Sequence, residues 1–172
     1  GSNMLEDAEL EQAACRNRKY VRDPRSESQM IREAVAAARQ SDVVLAAVGE
    51  PAWMTGEASS RTSLDIPQPQ KRLLEALVNT GRPVVLLLFS GRPMTLEWED
   101  SNMAAILDVW YGGSEAADAI LDLVYGRVNP SGKLTMTFPR NVGQIPLYYN
   151  MKNGGRPAKT DSYKRFSSCY MD

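Results

Sequence analysis

Two six-residue stretches, Val43 to Val48 and Val84 to Phe89, contain no polar side chain at any position. A strand with one wet face alternates apolar and polar residues. A strand apolar throughout is covered on both faces, as in a parallel sheet layered between helices. Neither run approaches the ~20 residues needed to cross a bilayer. The flanking segments supply the helices. Ser26 with Gln29 forms a capping-box signature, and Met30, Ile31, Ala34, Val35 and Ala38 then follow at helical spacing, predicting helix 26–40. Leu73, Leu74, Leu77 and Val78 predict helix 68–80, stopped by Gly81. Ala104 to Trp110 reads as a third strand running into Gly112-Gly113. Ser114 is expected to cap a helix that buries Ala117, Ile120, Leu121 and Val124 and ends at Gly126. Lys133 to Phe138 alternates, with Leu134, Met136 and Phe138 on one face, and predicts a further strand; Leu5 to Arg18 predicts a short leading helix. The expected fold is an α/β class, three-layer α/β/α sandwich with a mostly parallel sheet. If a strand precedes residue 20, that sheet is truncated at its N-terminal edge.

A chain of 172 residues fits one domain or a large part of one. It contains no histidine, which excludes Ser-His-Asp and Cys-His catalysis, histidine metal sites and histidine pH switches within it. With only Cys15 and Cys169 a four-thiolate zinc site is impossible, and two unpaired thiols are the default. No metal site and no cofactor are expected. Twenty basic against 21 acidic residues leave no electrostatic footprint for nucleic acid or an anionic membrane. Ser90, at a strand end, has no histidine to activate it as a nucleophile. Acid–base chemistry falls to Asp, Glu, Lys or Tyr.

In parallel α/β sheets ligands meet the loops at the carboxyl ends of the strands, here 49–67, 90–94, 111–114 and 139–146. The first is the most informative, and it is long for a connection in a compact domain, where about 4–6 residues is the median. It carries Glu50, Trp53, Met54, Glu57 and Arg61. Carboxylate beside aromatic suits sugar chemistry: a pyranose stacks its C–H face on an indole while a carboxyl group protonates the glycosidic oxygen. Plainer readings stand beside this one. A loop Glu is usually a solvated charge, a loop Trp is as often a lid on the core, and Arg61 has Glu57 and Asp65 as near partners. Gly112-Gly113-Ser114 before a helix is able to hold an anion on free N–H groups, but it lacks the G-x-G-x-x-G and Walker spacings.

Taken in order, these landmarks resemble the carboxy-terminal α/β-sandwich domain of glycoside hydrolase family 3, the β-glucosidase and β-xylosidase family. The stretches that carry the resemblance are Asp23-Pro-Arg-Ser-Glu-Ser-Gln-Met30, Val48-Gly-Glu50, Glu57-Ala-Ser-Ser-Arg61, Leu64-Asp-Ile-Pro-Gln-Pro-Gln70 and Thr80-Gly-Arg-Pro-Val-Val85. They continue with Ser90-Gly-Arg-Pro93, Gly112-Gly-Ser-Glu115, Asn129-Pro-Ser-Gly-Lys-Leu134, Thr137-Phe-Pro-Arg140, Gly143-Gln-Ile-Pro146 and Gly155-Arg-Pro157. The Glu57-Ala-Ser-Ser-Arg61 variant is most similar to bacterial periplasmic β-glucosidases of the family.

The resemblance implies a retaining exo-β-glycosidase acting on terminal β-linked sugars of an oligosaccharide or glucoside. An amino-terminal (β/α)8 barrel, absent here, would supply the nucleophilic Asp, and this domain the acid/base Glu. Glu57 matches that position, Glu50 is the second choice, and Trp53, Met54 and Arg61 match substrate-side positions. Gly1-Ser-Asn-Met4 reads as a tag remnant and, with a weakly patterned leader, accounts for 1–19. The resemblance implies the sandwich domain over 20–157 and a tail over 158–172 leading toward an all-β domain. The implied compartment is the periplasm or the exterior. The isolated chain is expected to be inactive and, with an open sheet edge, to tend toward a homodimer. Two other classes remain open: a non-catalytic carbohydrate-binding module using Trp53, and a phosphate-binding domain using the 112–114 turn.

Overall fold

The computed structural model describes residues 23–150 and 152. The expected 5–18 helix, both cysteines and the 158–172 tail lie outside the described residues. The elements are α1 (Glu27–Arg39), β1 (Val44–Gly49), a 3-10 turn (Ala52–Met54), α2 (Gln68–Val78), β2 (Val84–Phe89), α3 (Glu97–Asn102), β3 (Ala105–Asp108), α4 (Ala116–Val124) and a second 3-10 turn (Val142–Gln144). The fold is an α/β sandwich with a parallel sheet in the order β1-β2-β3. Val44 pairs with Val84 and Gly49 with Phe89, while Val85 pairs with Ala105 and Leu88 with Asp108.

One face of the sheet carries the core. Ala46 and Val48 of β1 and Val84, Leu86 and Leu88 of β2 pack with Ala38 of α1 and Leu74 and Leu77 of α2. Ile66 and Met94, from the loops that follow β1 and β2, close the same cluster. The alternate residues of β1 are more open, and Leu45 remains 40% exposed. At the start of α1, Ser26 Oγ accepts from the Gln29 N–H at 3.2 Å. Glu27 in its first turn and Arg39 in its last complement the helix dipole. The α2 helix opens after Pro67 and carries Pro69 inside its first turn, where a missing N–H costs nothing.

Four expectations need correction. Lys133 to Phe138 forms no strand: Leu134 and Met136 stand 62% and 58% exposed, and no described strand pairs with the segment. Alternation marks a surface able to join a sheet, but a strand exists only where a neighbour accepts its hydrogen bonds. Ser114 does not cap α4, which starts after Glu115 without a side-chain cap, and the helix does not bury the expected Ala117, Ile120, Leu121 and Val124: Ala117 and Leu121 are exposed and the other two only partly covered. Gly112 allows that late start, since a Cβ there would lie 2.7 Å from the Ala116 Cβ. A short acidic helix, α3, stands where no helix was expected.

Candidate active site

The carboxyl ends of β1 and β2 build the site together. At the last residue of β1, Gly49 has φ +137, and a Cβ would overlap the Phe89 carbonyl oxygen. Only glycine lets the two strands stay paired to that point. Gln70 of α2 then locks the end of the strand, accepting from Gly49 N–H at 2.7 Å and donating to Gly49 C=O at 3.0 Å. The chain continues straight into Glu50, whose N–H donates to Phe89 C=O at 2.8 Å.

Glu50 is buried, with a side chain 0% exposed, and two guanidinium groups meet its carboxylate. Arg61 Nη1 donates to Oε1 at 2.7 Å, and Arg92 Nε approaches at 3.2 Å. A carboxylate taken this far from water is sustained by such charge-assisted bonds. The backbone carbonyl of Glu50 accepts the Tyr111 hydroxyl at 2.8 Å. Burial pushes the Tyr111 phenol above its ordinary value, and the nearby Glu50 charge pushes it the same way.

Glu57 stands in contrast. It lies at the exposed tip of the loop, and no hydrogen bond or ion pair reaches its carboxylate among the described residues. Left-handed backbone brackets it, at Gly56 (φ +100) and Ala58 (φ +58), and the Ser59 N–H donates back to Gly56 C=O at 3.2 Å. The two acidic candidates therefore have opposite surroundings, one sealed by cations and one presented to solvent.

Of the remaining candidates, Met54 is buried and Arg61 is turned inward, its Nη2 donating to the Asp65 carbonyl at 3.3 Å. Trp53 is half-buried, and its indole N–H has no acceptor among the described residues. Sequence reasoning missed Arg92. Its Nη2 donates to Met54 C=O at 2.6 Å and to Ser59 C=O at 2.9 Å. The available signal was Ser90-Gly-Arg-Pro93, an arginine at the end of the neighbouring strand. Among the described residues no group of three or more Cys, Asp or Glu is placed to hold a metal ion. No described helix is long and apolar enough to cross a membrane.

The domain is a parallel α/β sandwich, the class in which ligands meet the loops at the carboxyl ends of the strands, and the long loop carrying Glu50 and Glu57 lies there. The family model described as the glycosyl hydrolase family 3 C-terminal domain matches residues 5–170, and the chain belongs to that family. It is similar to the periplasmic beta-glucosidase of Salmonella typhimurium, with 52% identity over 150 residues covering 87% of this chain and 20% of the relative. A beta-xylosidase of Formosa agariphila is 46% identical over 68% of this chain and 16% of its own length. Among solved structures, the beta-glucosidase from Listeria innocua in complex with gluconolactone aligns with TM-score 0.77 and 39% identity, over 84% of this chain and 20% of that one. The chain thus spans between about a sixth and a fifth of the length of these relatives.

Proposed function

We propose that this chain serves as the sandwich half of a retaining exo-β-glycosidase, with Glu57 as its acid/base and a barrel elsewhere in a longer protein supplying the nucleophilic Asp. Glu57 protonates the leaving glycosidic oxygen, then deprotonates the water that hydrolyses the glycosyl-Asp intermediate. The observation that carries this reading is the contrast between the two carboxylates. Glu50 is consumed by Arg61 and Arg92, whereas Glu57 sits at an exposed, unpaired loop tip inside the Glu57-Ala-Ser-Ser-Arg61 segment. A retaining site needs its second carboxyl group roughly 5–5.5 Å away, which a docked partner domain can bring. Trp53 is the residue of this loop proposed to face the sugar, while Met54 and Arg61 hold the loop in place. The substrate is a terminal β-linked glucoside or short oligosaccharide, and the compartment is the periplasm, as the name of the Salmonella relative suggests. The domain boundaries proposed are 20–157, with 1–19 and 158–172 outside the sandwich.

In the intact enzyme, Glu57→Ala is expected to lower kcat/KM for cellobiose by about 10²–10⁴-fold, the usual weight of general acid catalysis. A dinitrophenyl glucoside, whose leaving group needs little protonation, is expected to suffer far less. Equal loss on both substrates would remove Glu57 from the acid/base role. The isolated 172-residue chain should not turn over either substrate, for want of a nucleophile.

A further inference from the structure

We infer that Arg92 is the positioning residue of the acid/base: it pins the two ends of the loop that presents Glu57. The inference rests on the Glu57 reading above. Residues 54 and 59 bracket the loop tip, and both of their carbonyls accept from a single nitrogen, Arg92 Nη2, at 2.6 and 2.9 Å. That one donor draws the loop closed beneath Glu57. The guanidinium is itself held, because Arg92 Nε binds the buried Glu50 carboxylate, which is fixed to the sheet by the Glu50 N–H bond to Phe89. A rigid line therefore runs from the β1–β2 ladder through Glu50 and Arg92 to the loop tip.

The turn that carries Arg92 makes a second, independent contact with the loop. A Cβ on Gly91 would overlap the Thr55 side chain, so Thr55 rests directly on the bare backbone of residue 91. Loop residues 54 and 59 bear on Arg92 and residue 55 on Gly91, whereas no hydrogen bond or ion pair holds Glu57 among the described residues. Ser59 Oγ also joins the loop ends, donating to Trp53 C=O at 3.4 Å, but it is Arg92 that ties them to the sheet. A looser anchor would let the exposed carboxylate sample more positions, and a misplacement of about 1 Å costs on the order of 10²-fold in rate. Arg92 removes that freedom without touching the sugar.

The test is a set of variants of the intact enzyme, Glu57→Ala, Arg92→Met, their double and Gly91→Ala, each assayed for kcat/KM on cellobiose and on a dinitrophenyl glucoside. Arg92→Met should lower kcat/KM for cellobiose by about 30–100-fold, as misplacement of an acid would. The activated glucoside should lose no more than about 3-fold, because a variant that only unfolded would lose both alike. Added to Glu57→Ala, Arg92→Met should cost little more, since the residue it positions is already gone. Should the activated substrate fall as far as cellobiose, or the double lose the product of the two singles, the positioning role is overturned while a selective loss in Glu57→Ala leaves the acid/base assignment standing. If Glu57→Ala itself shows no selectivity, it is the acid/base reading that fails. Gly91→Ala keeps the Arg92–Glu50 pair and presses on Thr55, so it decides the matter if Arg92→Met does not fold. A selective loss of about 10-fold is expected there, and no loss or an equal loss on both substrates overturns the proposal.

Discussion

Glu99 is fully buried in α3, and neither of its carboxylate oxygens has a hydrogen-bond partner among the described residues. The nearest cation is Lys71, whose Nζ lies 3.9 Å from Oε1. Burial pushes this carboxyl above its ordinary value of 4.5, and its own backbone amide and then Lys71 oppose the shift only in part. Asp108, at the end of β3, is raised by burial in the same way. An acid whose folded value is raised binds its proton more tightly in the native state. Its stabilising effect is full below the unfolded value and is lost as the pH climbs through the folded value. Glu27 works in the opposite direction, because its bonds from Arg72 hold it below 4.5. The contribution of Glu99 is therefore best read as a difference between variants. Glu99→Met should raise unfolding free energy at pH 7.5 by about 1–3 kcal/mol, the ordinary cost of a buried polar group left unmatched. That gain should shrink as the pH is lowered toward 4, because the raised carboxyl takes up its proton and only the smaller cost of a neutral unmatched group remains. Urea titrations at the two pH values check it, and a gain independent of pH would mean that burial of the charge is not what the substitution relieves.

Among the elements, the junction of β1 with α2 concentrates the most constraint. Gln70 uses both ends of its amide on the N–H and C=O of Gly49, two backbone groups at a buried strand end. Gln70→Leu keeps the bulk but leaves both groups unpaired, and a loss of about 2–4 kcal/mol in unfolding free energy is expected. Urea unfolding measures it directly, and a loss below 0.5 kcal/mol, within the range of an ordinary surface change, would mean that water replaces the amide. This junction also shows what a sequence can and cannot reveal about such a site. The strands β1 and β2 were legible because every residue in them is apolar, a property that does not depend on the partner. α3 was not legible: its six residues carry no apolar stripe, and its only cue is Glu97, Glu99 and Asp100 crowded into the first turn, where the dipole favours acids. The 133–138 alternation misled because pairing needs a second strand. Within the loop, Glu50 and Glu57 looked alike as letters. What separates them is Arg92, 42 residues further on, and only the β1–β2 register brings that arginine beneath the loop.

At the scale of the whole molecule, β1, like β3, pairs with another strand on one side only in the described sheet, and Gln70 covers the other side of β1 only at Gly49. Beside that edge runs a groove between α1 and β1, lined by Ala34, Ala37, Ser41, Val43, Leu45 and Leu73, with Val43 half exposed. A second apolar region lies around α4, no residue of which is buried, and it includes Leu121, Tyr125 and Val128. Unpaired strand edges template association with another chain, and grouped exposed apolar side chains mark surfaces that other chains cover. The isolated chain is therefore expected to self-associate, with an average mass by light scattering that rises with concentration toward a dimer. Its near-zero net charge of −1 offers little repulsion to oppose contact. The two surfaces are separable. Leu45→Lys places a charge on the free strand, the device natural edge strands use against pairing, and should hold the chain monomeric if β1 is the contact. Tyr125→Lys charges the α4 region and should then have no effect. The reverse result would move the interface to α4, and a wild-type chain that stays monomeric at every concentration would show that neither surface drives association.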